Sequence, residues 1–117
     1  MNRQNLGKWG ENIACQYLTT NGYTILETNK NYYENGKKIG EIDIVTIKDN
    51  ITYIVEVKTR GKNIFGSAIE SLTPKKIETI RRISQLYIKN NQIIRIQLIA
   101  IDIKNKEDYS LQIVDVI

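Results

Sequence analysis

The chain has 117 residues, of which 41% are hydrophobic and 26% are charged, and it contains a single proline. These values predict one globular domain over residues 1–117 and argue against a disordered or membrane-spanning chain. There is no histidine and only one cysteine, which excludes a zinc site built from Cys and His, an intrachain disulfide and a hydrolase with a histidine base.

The chain carries a net charge of +4 at pH 7. Basic proteins attract polyanions through a salt-sensitive term that does not depend on nucleotide sequence, so nucleic acid is a candidate partner. Many basic proteins bind no nucleic acid, and the charge alone is only a hint. Residues 1–8 contain no apolar signal region and no run approaches about 18 apolar residues, so we expect a cytoplasmic protein with no membrane partner.

A first helix is predicted over residues 4–20, because apolar side chains recur there at helical spacing and Asn21-Gly22 ends the pattern. Glu11 falls at the edge of the apolar stripe, where it either points along the neighbouring sheet or is solvated. Cys15 falls away from the stripe. The stripe consists of Leu6, Trp9, Ile13, Ala14, Tyr17 and Leu18.

Residues 23–29 are predicted to form a first strand, and the sequence Glu-Asn-Gly-Lys at residues 34–37 is a strong turn signal leading into a second. Gly40 lies just inside that second strand. It either permits a bulge, allows close approach of a ligand to the backbone, or is an ordinary strand entry.

Residues 40–60 form the most informative stretch and predict a β-hairpin. Both arms alternate with a period of two and are rich in Ile, Val, Thr and Tyr, and Asp49-Asn50 between them tolerates positive φ. If these two residues form the loop, Lys48 pairs with Ile51 and the register of the whole hairpin follows from that pair.

This register places Asp43 opposite Glu56 and Glu41 opposite Lys58, all on one face. Opposed like charges repel, and a divalent cation held between Asp43 and Glu56 would offset the repulsion. The alternative is an ordinary solvated strand face on which Glu41 and Lys58 form an ion pair. The opposite face is predicted to be core and carries Ile42, Ile44, Val55 and Val57.

Residues 59–66 predict a loop with glycine at both ends and several positive charges nearby. This loop either lies at the rim of the acidic site, where it gates a substrate or binds phosphate, or is a simple exposed connection. Arg60 and Lys62 are its candidate contacts with nucleic acid.

A second helix is predicted from Thr73-Pro74 to about Asn90, with Thr73 as the N-cap and proline at the first helical position. Lys76 lies on the apolar side of the first turn. It is either aimed at a phosphate or a carboxylate over the sheet, which makes it a third candidate contact with nucleic acid, or it snorkels to solvent.

Residues 93–104 and 109–116 predict two further strands joined by the polar turn at residues 105–108. A strand, a helix and a strand in succession imply a right-handed crossover and hence a parallel pair. The predicted fold is therefore α/β with a mixed sheet, in the order α-β-β-β-α-β-β, with an antiparallel meander before the crossover.

This order, with an acidic residue on the first helix and Glu-x-Lys on the third strand, resembles the PD-(D/E)xK nuclease superfamily. It is more closely similar to the YraN-like family of small bacterial proteins, related to archaeal-type Holliday junction resolvases. The similarity covers roughly residues 5–115, and Ile42 replaces the superfamily's proline before Asp43. The likeness lies in Gly10-Glu11-x-x-Ala14, Tyr17-Leu18, Gly40-Glu41-Ile42-Asp43 and Val55-Glu56-Val57-Lys58-Thr59-Arg60.

The resemblance implies a restriction-endonuclease-like core in which Asp43, Glu56 and the carbonyl of Val57 bind Mg²⁺ or Mn²⁺, with Glu11 as an additional ligand. Lys58 would orient the attacking water or stabilise charge on the phosphate. We hypothesise a metal-dependent DNA endonuclease that acts on branched DNA such as Holliday junctions, which would require two active sites and hence a homodimer.

The alternatives are a non-catalytic nucleic-acid-binding or DNA-processing accessory module with the same fold, and a protein-interaction domain that binds no nucleic acid.

Overall fold

A computed structural model describes residues 2–61, 72–87 and 92–116. Along these residues the order is helix, three strands, helix, two strands, which confirms the predicted order. The predicted loop over residues 59–66 begins later than expected, because residues 59–61 belong to the third strand and pair with residues 101–103. The rest of that loop and the predicted end of the second helix near Asn90 lie outside the described residues. The elements are α1 (Arg3–Thr20), β1 (Thr24–Glu34), β2 (Lys37–Lys48), β3 (Ile51–Gly61), α2 (Pro74–Ser84) followed by a short 3₁₀ turn (Gln85–Tyr87), β4 (Ile93–Asn105) and β5 (Asp108–Asp115).

The five strands form one sheet in the order β1-β2-β3-β4-β5. The first three strands are an antiparallel meander, β3 pairs with β4 in parallel, and β5 returns antiparallel to β4. The chain passes through α2 between the two parallel strands, because parallel neighbours cannot be joined by a tight turn. The predicted mixed sheet and crossover connection are confirmed.

Two-residue turns join the strands of the meander. Asn35 and Gly36 have φ values of 53° and 77°, and Asp49 and Asn50 have φ values of 52° and 64°. Positive φ at both central residues matches the twist of a hairpin and favours Asn, Asp and Gly. The second turn sets the predicted register, in which Lys48 pairs with Ile51.

Helix α1 lies against one face of the sheet. The side chain of Asn2 accepts the backbone N–H of Asn5 at 2.9 Å and caps the helix, while Ala14 and Leu18 are fully buried beneath it. Cys15 is a correction to the predicted stripe, because it packs partly buried against the same core cluster. An apolar surface wider than the predicted stripe therefore anchors this helix.

Helix α2 lies on the other face. The hydroxyl of Thr73 accepts the backbone N–H of Lys76 at 3.2 Å, with Pro74 in the first turn, as predicted. Ile80 and Ile83 are buried against the sheet. Within the described ranges, no helix is long and apolar enough to cross a membrane.

The two faces of the sheet do not follow a strict alternation along β2. Ile44 packs beneath α1 with Val55, whereas Ile42 packs beneath α2. The prediction that these isoleucines share a face is therefore wrong. Asn29, which lies in β1 between the residues paired with Ile44 and Ile42, has a φ of 50°.

Gly40 is a close-packing position between α2 and the sheet. A Cβ atom at Gly40 would lie 2.8 Å from Cγ2 of Thr79 and 3.0 Å from Cδ1 of Ile83. A register shift in the β1–β2 ladder falls beside Gly40, between the pairs made by Tyr32 and Tyr33. A helix, and not a ligand, therefore occupies the space that this glycine leaves open.

Candidate metal and nucleic-acid site

The β2–β3 hairpin opens into a fork near its open end. Its ladder ends at the pair Ile44–Val55. One residue further along, the carboxylate of Asp43 accepts the backbone N–H of Val57 at 2.8 Å, so a side chain takes the place of a strand carbonyl. Beyond this point β2 pairs with β1 and β3 pairs with β4. We refer to Asp43 and residues 56–58 as the fork.

The prediction that the hairpin register continues to Glu41 and Lys58 is wrong, because the two strands separate after the pair Ile44–Val55. The pairs Asp43–Glu56 and Glu41–Lys58 are not part of the ladder. Glu41 forms an exposed ion pair with Lys38 instead, at 3.9 Å. The expected Glu41–Lys58 ion pair is therefore replaced by a contact within β2.

A cavity of about 390 Å³ lies at the fork on the side of α2. The carboxylates of Asp43 and Glu56 form its acidic part. Glu56 is buried, and its Oε1 has no hydrogen-bond partner among the described residues. The lining residues are Asp43, Glu56, Val57, Lys58, Leu72, Thr73, Lys76 and Leu98.

The two carboxyl groups perturb each other. Burial, together with the negative charge of Asp43, raises the pKa of Glu56 to about 8, and the ammonium of Lys76 opposes this rise. Burial also raises the pKa of Asp43, against the effect of the Val57 N–H and of Lys76. Both groups are therefore difficult to ionise together at neutral pH unless a cation joins them.

Lys76 reaches the acidic pair from the first turn of α2. Its Nζ lies 3.5 Å from Oε2 of Glu56. Of the two alternatives for this lysine, the structure shows the one in which it is aimed at a carboxylate over the sheet. Lys58 lines the same cavity from β3 and is exposed.

A second cavity, of about 350 Å³, lies beside α1 and shares Val57 and Lys58 with the first. Glu11 lines it and is half-buried. Burial raises the pKa of Glu11, a hydrogen bond with Asn29 acts in the opposite direction, and the charges of Asp43 and Glu41 raise it further. The side chain of Glu11 is therefore close enough to Asp43 and Glu41 for their charges to affect its pKa. This agrees with the expectation that Glu11 points along the sheet.

The predicted nucleic-acid contacts are distributed over both cavities. Arg60 lines the second cavity, and its Nε is buried without a hydrogen-bond partner among the described residues. Lys76 lines the first cavity, and Lys62 lies outside the described residues. The wall of the first cavity also contains Leu72, Thr73 and Leu98, which carried no local sequence signal for such a role.

The residues at the fork fit a hard divalent cation. Mg²⁺ binds through one or two carboxylates and completes its coordination with water and phosphate oxygens. Asp43 and Glu56 supply two carboxylates, one with an unpartnered oxygen. No group of three or more Asp, Glu or Cys side chains able to hold a metal occurs in the described part of the chain, so a divalent cation held by this carboxylate pair would keep several waters.

The fold and this cavity define a mixed α/β protein with a buried and a half-buried carboxyl group side by side at a fork in its sheet. The model of the family described as "Uncharacterised protein family UPF0102" matches residues 10–101, and the chain belongs to this family, which is the predicted YraN-like group.

Curated relatives support this membership. A UPF0102 protein of Syntrophomonas wolfei is 46% identical over 90 residues, which cover 77% of this chain and 73% of the relative. One of Dictyoglomus turgidum is 38% identical over 103 residues, covering 88% and 82%. UPF0102 protein FP2501 of Flavobacterium psychrophilum is 39% identical over 105 residues, covering 87% and 84%.

Proposed function

We propose that this protein is a metal-dependent DNA endonuclease that hydrolyses phosphodiester bonds at the fork. The observation that carries the proposal is the pair formed by half-buried Asp43 and buried Glu56, in which one oxygen of Glu56 has no hydrogen-bond partner among the described residues. The resemblance to PD-(D/E)xK nucleases supports it, because that motif places an acidic residue, a glutamate and a lysine at these positions.

Asp43, Glu56 and the carbonyl of Val57 would hold Mg²⁺ or Mn²⁺. The resemblance implies Glu11 as an additional ligand, but among the described residues Glu11 lines the neighbouring cavity and forms no three-carboxylate group with Asp43 and Glu56. The metal would supply an acidified water and neutralise negative charge that develops on the phosphate. The hydrogen bond from the N–H of Val57 fixes the orientation of Asp43 at 2.8 Å.

Lys58 is the residue suited to act on the substrate. Its exposed side chain lines the same cavity as both carboxylates. From there an ammonium group can orient the attacking water or stabilise charge on the phosphate oxygens. The net charge of +4 supports a polyanionic substrate. Branched DNA, including four-way junctions cut by a homodimer, is the substrate class suggested by the resemblance.

A second candidate is a nucleic-acid-binding or DNA-processing accessory module without cleavage activity. The ion pair between Lys76 and Glu56 favours it, because an ammonium at 3.5 Å already neutralises part of the acidic charge. In that case the fork would serve as a structural charge cluster within a basic protein.

Cleavage of labelled single-stranded, duplex, flap and four-way-junction DNA with Mg²⁺ or Mn²⁺ tests the two candidates. We expect Glu56→Gln and Lys58→Met to lower the cleavage rate at least ~100-fold, since each removes a group that acts on the reacting phosphate or its metal. Glu107→Gln and Lys104→Met, at exposed positions of the β4–β5 hairpin, are the matched controls.

Metal-dependent cutting by the wild type and both controls, lost in both fork variants, would support the nuclease and rank its substrates. Absence of cutting on every substrate, while the wild type still binds DNA, would refute the enzyme and favour the accessory module. Cutting that survives Glu56→Gln would indicate a contaminating nuclease or a different active site.

A further inference from the structure

Lys76 and Glu56 differ in their freedom to move. The side chain of Glu56 is 9% exposed, whereas that of Lys76 is 40% exposed. The backbone of Lys76 is held in the first turn of α2 by the hydroxyl of Thr73. The side chain of Lys76 can therefore turn toward solvent while its backbone stays in place. The buried side chain of Glu56 cannot make the same movement.

We infer that Lys76 is a positioning residue that exchanges partners: it pairs with Glu56 when no divalent cation is bound, and with a phosphate of the nucleic acid when the cation is bound. The inference rests on the proposed metal site at the fork, but not on cleavage. It assigns to Lys76 a role that depends on the state of the site.

Electrostatics gives the direction of the exchange. In the ion pair, the ammonium of Lys76 offsets part of the charge shared by Asp43 and Glu56. A divalent cation bound to these carboxylates takes over that role and repels the ammonium, because like charges a few Å apart in a poorly solvated cavity interact strongly. The released ammonium lies beside the cavity that a phosphate would enter.

The exchange has a measurable consequence in the salt dependence of DNA binding. Each phosphate neutralised by a lysine contributes about −0.9 to the slope of log K against log salt for duplex DNA. Lys76 should contribute to that slope only when the cation is bound to Glu56 and the ammonium of Lys76 is free to contact a phosphate. A lysine that always binds phosphate would contribute in both states, and a purely structural lysine in neither.

The experiment measures the binding of a labelled four-way junction by fluorescence anisotropy over a range of salt, once in EDTA and once in Ca²⁺, at pH 9, where Glu56 with its raised pKa of about 8 is ionised and can hold Lys76. Calcium binding by the wild type is checked by calorimetry. The variants are Lys76→Met, Lys76→Arg as the conservative rescue, and Lys75→Met, which removes the neighbouring exposed charge of the same helix.

We expect Lys76→Met to reduce the magnitude of the slope by about 0.9 in Ca²⁺ and to leave it unchanged in EDTA. Lys76→Arg should restore the wild-type slope in Ca²⁺. Lys75→Met should change the slopes in the two solutions equally or not at all. Glu56→Gln should increase the magnitude of the EDTA slope by about 0.9 because it releases the lysine, and the added Lys76→Met should remove that increase.

Equal changes for Lys76→Met in EDTA and Ca²⁺, or no change in either, would overturn the exchange. So would the absence of calcium binding by the wild type, because the exchange would then lack its trigger. This experiment measures binding only, and cleavage is measured separately with the labelled DNA substrates. A protein that cuts no DNA but shows the state-dependent slope would refute the nuclease and retain the role of Lys76.

Discussion

Glu56 is a carboxyl group held away from water beside a second carboxyl group. Its pKa is raised to about 8, from an ordinary value of 4.5, by burial and by Asp43. At neutral pH the metal-free protein therefore keeps a proton on Glu56 that the unfolded chain has released. The retained proton lowers the free energy of unfolding as the pH rises, because the folded state then binds more protons than the unfolded state.

The first prediction concerns this cost in EDTA. From about pH 4.5 to about pH 8, the contribution of Glu56 to the free energy of unfolding falls as the pH rises, and below that range the wild type carries no such penalty. Glu56→Gln cannot release a proton, so we expect it to be more stable than the wild type by at least ~1 kcal/mol at pH 8. Urea unfolding at pH 5 and pH 8 measures the difference.

Glu107→Gln, in the exposed β4–β5 turn, is the control and should show the same pH dependence as the wild type. An advantage of Glu56→Gln that is equal at pH 5 and pH 8 would mean that packing, and not the suppressed ionisation of Glu56, explains its stability.

At the scale of the elements, α1 is held close to the sheet by the absence of a side chain at Gly10. A Cβ atom at this position would lie 1.8 Å from Oγ1 of Thr59 in β3. This contact brings the first half of α1 over the end of β3 that carries the fork, and Glu11 follows directly in the chain. The position of Glu11 beside the second cavity therefore depends on the packing at Gly10.

The second prediction tests that packing. Gly10→Ala should destabilise the protein by about 1–3 kcal/mol, because the helix or Thr59 must move to relieve the clash. Gly7→Ala is the matched control on the same helix, where a Cβ would meet nothing within 4 Å. It should stabilise by up to ~1 kcal/mol, as expected for Gly→Ala in a helix. Thermal unfolding of both variants measures these effects.

Thr59→Ala removes the hydroxyl with which the new methyl group would clash, so it should recover part of the stability lost in Gly10→Ala. A double variant whose two effects are simply additive would contradict a direct contact between these positions.

Local chemistry explains which elements could be predicted from the sequence. Asn35-Gly36 and Asp49-Asn50 favour positive φ by themselves, and Thr73-Pro74 begins a helix by itself. The turns, the hairpin register near Asp49 and the start of α2 depend on a few neighbouring residues, and these predictions are confirmed.

The fork depends on contacts between distant residues and could not be predicted. No pattern in β2 indicates that the side chain of Asp43 replaces a strand carbonyl and bonds the backbone of Val57, 14 residues later. The same holds for the ion pair between Arg82 of α2 and Glu34 at the β1–β2 turn, 48 residues apart. The spacing of Asp43, Glu56 and Lys58 led to the hypothesis of a metal site but did not predict the geometry of the fork.

At the scale of the whole molecule, the two helices cover opposite faces of the sheet and the fork connects the two sides. The cavity beside α2 contains Asp43 and Glu56, the cavity beside α1 contains Glu11, and Val57 lines both. The strands that separate at the fork belong to the centre of the sheet, between the β1–β2 and β3–β4 ladders. A ligand that bridges the acidic pair would therefore stabilise the fold as a whole.

The third prediction concerns this coupling. A cation that binds only the folded state adds about 1.4 kcal/mol at ten times its dissociation constant, or roughly 4–8 °C in Tm for a domain of about this size. We expect Mg²⁺ or Mn²⁺ to raise the Tm of the wild type more at pH 8 than at pH 6. At pH 6 the raised pKa of Glu56 makes a proton compete with the metal. Thermal scans with the metal and with EDTA measure the shift.

The variants decide where the cation acts. Glu56→Gln and Asp43→Asn should lose the metal-dependent shift, while Glu107→Gln should retain it. A shift that persists in both fork variants would place the cation elsewhere and remove the basis of the proposed metal site. If the shift disappears in the fork variants, the opposite signs of the two pH effects have one cause. Without metal, rising pH lowers stability because folding keeps a proton on Glu56 that the unfolded chain releases. With metal, the loss of that proton creates the ligand that binds the cation.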